Sequence, residues 1–202
     1  MKLLETALEL IQMKYYQEAL PIYQKVLEMS DDQRIIAITQ FIIGFCHLQL
    51  SQIDLQQNVN YQQNLALSVQ NLSKSFKTIE TLTDRGTDLQ LVQVYSLYFL
   101  SQAYVLDLNQ LAYDFACKCF DYIQLFQINF CQLDLYIEMT LFFNKVFSKH
   151  GCQQQANQLL LDLYQQIDNK EELLFVPYFI KRQRLTEQQI QHVKTIVSKL
   201  IQ

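Results

Sequence analysis

Three features of the 202-residue sequence predict an all-α fold of stacked antiparallel helix pairs. Apolar residues recur at three and four positions almost throughout, as in Leu65, Val69, Leu72, Phe76, Ile79 and Leu82, the seam of a helix buried along one face. Strand-like alternation is not sustained anywhere. Only three glycines and two prolines serve a chain that is 50% apolar, too few for the tight turns of a sandwich or for a phosphate-cradling loop. Clusters of polar turn-formers cut the periodic pattern into helix-length segments. A chain of this mass buries roughly 70% of its unfolded surface, so it supports its own core.

The elements follow in order. Met1-Lys2-Leu3-Leu4-Glu5 opens an amphipathic helix near 2–13, and Glu5 and Glu9 interrupt the apolar run that a secretory leader needs. Helices are expected near 16–29, 33–51, 64–82, 88–106, 110–127, 132–149 and 153–167. The breaks fall at Ser30-Asp31-Asp32, Gln56 to Asn64, Thr83 to Asp88, Asp107-Leu108-Asn109, His150-Gly151 and Asp168-Asn169. The most apolar window, Ile35 to Leu50, is interrupted by Thr39, Gln40, His47 and Gln49 and falls short of the roughly 20 apolar residues of a membrane span. It reads as a buried helix, and no membrane span is expected. Leu89 to Leu106 and Leu135 to Phe147 are apolar nearly all round and so need packing on two sides. A ninth helix begins after Thr186, where Thr186 and Gln189 form a capping box ahead of Ile190, Val193, Val197 and Leu200. The expected division is a repeat domain over 1–170 and a basic linker with a capping helix over 171–202.

The pairs read as copies of one unit. Lys14-Tyr15-Tyr16-Gln17-Glu18-Ala19 with Tyr23, and Gly151 with Ala156, Leu160 and Leu163, share a small-to-large pattern. Ala7 stands twelve positions before Ala19, as Asn144 does before Ala156, with Phe147 beside it. Ser101, Tyr104, Ala112, Ala116 and Cys119 fit with a turn one residue shorter, and the second pair keeps Gly44 ahead of Ala66, Gln70 and Ser73. Over residues 1–167 the chain therefore resembles the tetratricopeptide-repeat family. Its anchors, Ala19, Ala66, Ala112 and Ala156, are 47, 46 and 44 residues apart, longer than that family's usual spacing of about 34. An irregular helical bundle or a HEAT-like solenoid is the alternative. The resemblance implies a right-handed superhelix of about four antiparallel helix pairs, an α-solenoid with a C-terminal capping helix.

Charge and chemistry narrow the function. Net charge is −4 with dispersed basic residues, which leaves no footprint for nucleic acid. The cysteines, Cys46, Cys117, Cys119, Cys131 and Cys152, are odd in number and read as core thiols of a reducing, cytoplasmic compartment. Cys117 and Cys119 point to different sides of a helix and cannot share a metal, so no metal or cofactor is expected. His150 and Cys152 flank Gly151 without a third orienting group, His47 reads as a packed, hydrogen-bonded histidine, and His192 as solvated. Asp31-Asp32 and Glu171-Glu172 sit at helix boundaries and read as caps. Lys181-Arg182-Gln183-Arg184 is the one basic cluster, either a solvated loop or a dock for an acidic protein surface.

The family resemblance supplies a concave groove lined by first helices. Carried over, it places Phe41, Phe45 and Leu48, then Tyr95, Tyr98 and Gln102, then Leu141, Lys145 and Lys149 on a partner-binding wall, aromatic and apolar with a basic end. The Lys, Arg and Asn clamp of the chaperone-binding branch is replaced by Phe41, Phe45, Tyr98 and Gln102, which disfavours that activity. Aromatic anchors suit a hydrophobic helix or strand of a partner, or else these rings are interior packing. The expected role is a non-enzymatic protein-binding scaffold within a hetero-complex. A self-associating structural protein and a cysteine-dependent enzyme are the rival classes.

Overall fold

The computed structural model describes residues 2–107, 109–126 and 133–158, together with 161, 191, 194–195 and 198–199. Among these residues every regular element is a helix. The chain divides into two compact units, Met1–Phe126 and Gln127–Gln202, whereas the sequence suggested a division at 170. The first unit holds α1 (Lys2–Gln12), α2 (Tyr16–Met29), α3 (Gln33–Gln56), α4 (Gln62–Thr81), α5 (Thr87–Leu106) and α6 (Leu111–Leu125). The second holds α7 (Leu133–Lys149) and a helical turn over 153–158. The remainder of the expected 153–167 helix, apart from the helical residue 161, lies outside the described residues, as do Thr186, Gln189 and the basic cluster 181–184. Within the expected capping helix, residues 191, 194–195 and 198–199 are helical.

Six helices match their expected bounds within two residues, but α3 runs five residues past its expected end at 51. Gln52 to Gln56 contains no Gly or Pro, and glutamine is a good helix former, so the polar stretch continues the helix instead of breaking it. By length and composition α3 is apolar enough to cross a membrane. In this structure it packs against α2, α4 and α5. Successive helices of the first unit pack on one another from α1 to α6, over a core that includes Tyr23, Phe41, Leu48, Leu72, Ile79 and Leu97. At Gly44 the α3 and α4 backbones approach so closely that a Cβ would lie 2.7 Å from Leu72 Cγ and 2.9 Å from Leu72 N.

The hairpins share devices that differ in residue type. A six-residue backbone turn ends each first helix: Tyr15 N–H to Leu10 O (2.8 Å), Val59 to Asp54 (2.8 Å), Asn109 to Tyr104 (2.9 Å) and Cys152 to Phe147 (2.9 Å). The left-handed residue that such a turn needs is Lys14 (φ 65°), Asn58 (φ 56°) or Gly151 (φ 78°). Side chains also recur across the hairpins. Ser101 Oγ donates to Ala112 O at 2.6 Å, and Asn144 Nδ2 to Ala156 O at 3.0 Å. In the opposite direction Ser75 Oγ donates to Ala37 O at 2.7 Å and Cys119 Sγ to Val94 O at 3.3 Å.

These bonds correct one anchor. Ala66 is exposed, and the buried small residue in register with Ala112 is Ser68, since Ser75 and Cys119 play the same part seven positions later. Gly44 and Ser68 are 24 positions apart, whereas Ala7 and Ala19, or Asn144 and Ala156, are 12 apart. The extra residues all lie at the turn end of the α3–α4 hairpin and lengthen both helices. Asn64 ties this extension together, its Nδ2 donating to Asp54 Oδ2 at 2.8 Å and its Oδ1 lying 2.9 Å from His47 Nδ1. With Asn64 oriented in this way its oxygen accepts, so His47 carries the proton on Nδ1. His47 is thus the packed, hydrogen-bonded histidine its sequence context suggested.

Candidate functional site

Two places merit consideration, the rings between α3 and α5 and a groove beside α4. Phe41 and Phe45, one turn apart on α3, both meet Phe99 of α5, with centroids 5.9 and 5.1 Å away. Phe99 also contacts Tyr98 (5.1 Å) and Tyr95 (6.5 Å), and Tyr16 of α2 stands edge-on to Phe45 at 6.0 Å. Such offset and edge contacts contribute about 0.5–1.5 kcal/mol each beyond burial. Phe41, Leu48, Tyr95 and Tyr98 are at most 3% exposed, and Phe45 and Gln102 are half-buried. The expectation of an open wall is corrected for those four residues, which are interior packing. In the second unit Leu141 is half-buried and Lys145 and Lys149 are exposed.

Cys46, Cys117, Cys119 and Cys152 are free thiols, and Cys131 lies outside the described residues. Burial pushes the Cys46 thiol up to about 12 and the Cys119 thiol well above its ordinary value. The Tyr23 hydroxyl is also raised, first by burial and then by the charge an ionised Cys46 would carry. These groups are protonated near neutrality and are poor nucleophiles. Cys152 Sγ lies 3.9 Å from the backbone oxygen of His150. The described residues contain no group of three or more His, Cys, Asp or Glu placed to hold a metal ion.

A polar and aromatic cluster joins α4 and α6. Phe76 of α4 and Tyr122 of α6 meet at 5.7 Å, with the Lys118 ammonium 4.2 Å above the Phe76 ring and 3.7 Å from Glu80. Tyr122 donates to Glu80 at 3.2 Å, and its hydroxyl is raised by burial and by the Glu80 carboxylate, with Arg85 opposing. Towards the turn end a groove of about 410 Å³ opens, walled by Leu65, Ala66, Val69 and Gln70 of α4 and by Ala103 and Tyr104 of α5, with Asp107 at its mouth. Tyr104 is held by stacking on Phe115 of α6 at 5.3 Å. The lengthened start of α4 forms one wall. None of these groove residues was singled out as a site from the sequence. The signal that could have found them is the 24-residue gap between Gly44 and Ser68. No protein-family model matches the sequence, and no curated protein matches it.

Proposed function

We propose that this chain is a non-enzymatic protein-interaction scaffold, a tetratricopeptide-like right-handed superhelix of about four helix pairs that serves as a subunit of a larger assembly. One observation carries the reading: separate hairpins repeat the same terminal turn and the same cross-helix bonds with different residues. Ser101 to Ala112 and Asn144 to Ala156 are one such pair. A repeated unit that stacks on its neighbours is an architecture suited to recognising extended segments of other proteins. In the first unit Phe45 and Gln102 are the carried-over positions that keep some exposure, with Phe41, Leu48, Tyr95 and Tyr98 as the packing behind them. In the second unit the corresponding positions are Leu141, Lys145 and Lys149.

The test is co-purification from native extract with wild type and with the Phe45→Asp and Lys145→Glu variants, alongside sedimentation of the purified chain. A monomer in isolation, with a specific partner whose recovery falls at least fivefold in either variant, is the expected result. Equal recovery from all three, or a stable homodimer, overturns the reading. Cys152→Ala leaves partner recovery intact under this reading and removes activity under a cysteine-enzyme one.

A further inference from the structure

We infer that the groove between α4 and the end of α5 is a docking site for a short basic segment of a protein partner, an apolar anchor side chain flanked by Lys or Arg. This surface is separate from the α3–α5 rings, so the inference stands or falls independently of the concave-face reading.

The shape comes first. At about 410 Å³ the groove sits at the low end of the range for ligand pockets, room for one or two side chains and not for a folded domain. Its floor is apolar, with Leu65 and Ala103 buried, Val69 and Tyr104 half-buried, and Ala66 exposed on the rim. Gln62, Gln70 and Asp107 complete its lining, the last at the C-terminal end of α5. The exposed apolar residues Val105 and Leu111 lie within four positions of Asp107 along the chain.

Charge names the occupant. No Lys or Arg occurs between Arg34 and Lys74 or between Arg85 and Lys118, stretches that supply α3 after Arg34, the first half of α4, all of α5 and the first turns of α6. Those stretches carry Asp54, Asp88, Asp107 and Asp114, of which Asp107 lines the groove, while Asp88 stands in the first turn of α5 and Asp54 accepts from Asn64. Lys118 is engaged by Glu80 and two rings and does not line the groove, and Lys74 stands a turn beyond Gln70. Asp107 is exposed and makes no ion pair with any of the described residues, and it caps the C-terminus of α5, which has no basic residue in its last turn. A carboxylate there adds to the negative pole of its own helix and is unfavourable in the isolated chain. A local rule broken beside a formed apolar groove marks a functional position, and a cation arriving from a partner relieves the conflict.

The experiment measures binding by fluorescence anisotropy at about 0.15 M salt, where weak nonspecific attraction is screened. The probe is a labelled octapeptide, Gly-Lys-Arg-Leu-Phe-Arg-Lys-Gly. One control peptide has its bases replaced by Glu, and another has Leu-Phe replaced by Ser-Ser. The expected result is binding of the probe with both controls at least tenfold weaker. Ala66→Trp, which fills the groove from an exposed position, and Asp107→Lys each weaken the probe at least tenfold. Glu28→Lys makes the same charge change on α2 and leaves it unaltered. Asp107→Asn weakens binding while raising the thermal midpoint by about 1–3 °C, a combination that a purely structural aspartate does not give. Equal binding of the three peptides overturns the inference. So does wild-type affinity in folded Ala66→Trp, an equal loss in Glu28→Lys, or a lowered midpoint in Asp107→Asn.

Discussion

The positions that match Gly44 in the other hairpins hold Ala7, Ser101 and Asn144, the last two reaching the facing backbone by hydrogen bonds. The site of Gly44 itself tolerates nothing larger than hydrogen, because the obstruction includes the Leu72 backbone and not only a flexible side-chain end. Gly44→Ala is therefore expected to lower unfolding stability by about 1–3 kcal/mol, read as a reduced urea midpoint at unchanged slope. Cys46 makes a second residue-scale prediction. Its folded value is raised from 9.0 to about 12, so above pH 9 the unfolded chain sheds a proton that the folded chain retains. The folded state then binds more protons, and stability falls as pH rises from about 9 to about 12, by roughly 1 kcal/mol per pH unit for each such thiol. Urea midpoints at pH 8 and at about pH 10.5 check this, and Cys46→Ala is expected to make the decline shallower, with Cys119, Tyr23 and Tyr122 supplying the remainder. At this scale the sequence showed Gly44 as the close-approach residue. Ala66 was the wrong anchor because alanine is the usual residue at that position, whereas here Ser68 fills the buried site.

At the scale of the element, helix positions were legible because the apolar period is strong and the turns are polar. The end of α3 was not, because Gln52 to Gln57 resembles a loop in polarity and a helix in propensity. What decides between them is Asn64, which reaches from α4 to Asp54 and His47 and pins the extra turns together. Replacing it with leucine leaves a half-buried carboxylate and a buried imidazole without their partner, so Asn64→Leu is expected to cost about 1–3 kcal/mol. Hydrogen exchange locates the loss: amides of Ile53 to Gln56 and Leu65 to Leu67 exchange faster, while those of α5 keep their protection. A uniform change across the first unit would mean that the extension is not separately held. The shared terminal turns were also illegible, since Lys14, Asn58 and Gly151 have nothing in common except a positive φ.

For the whole molecule, the all-helical class follows from composition and period, but which side of a ring faces solvent does not. Phe41 and Phe45 on α3, or Tyr95 and Phe99 on α5, have a one-turn spacing that serves a groove and a core equally well. When a helix is apolar all round, as α5 is from Leu91 to Leu100, periodicity no longer points to an outer face. The groove beside α4 was hidden for another reason, being created by a difference in hairpin length that no single motif records. Both features belong to Met1–Phe126, within which α1 to α6 pack in succession around Phe41, Leu48, Leu72 and Leu97. A chain of that length is large enough to sustain a core. Residues 1–126 expressed alone are therefore expected to unfold cooperatively in urea and to keep the helical far-ultraviolet signal of six helices. If that fragment instead melts without cooperativity, the first unit depends on the rest of the chain for its stability, and the nearest-neighbour account of its packing is wrong.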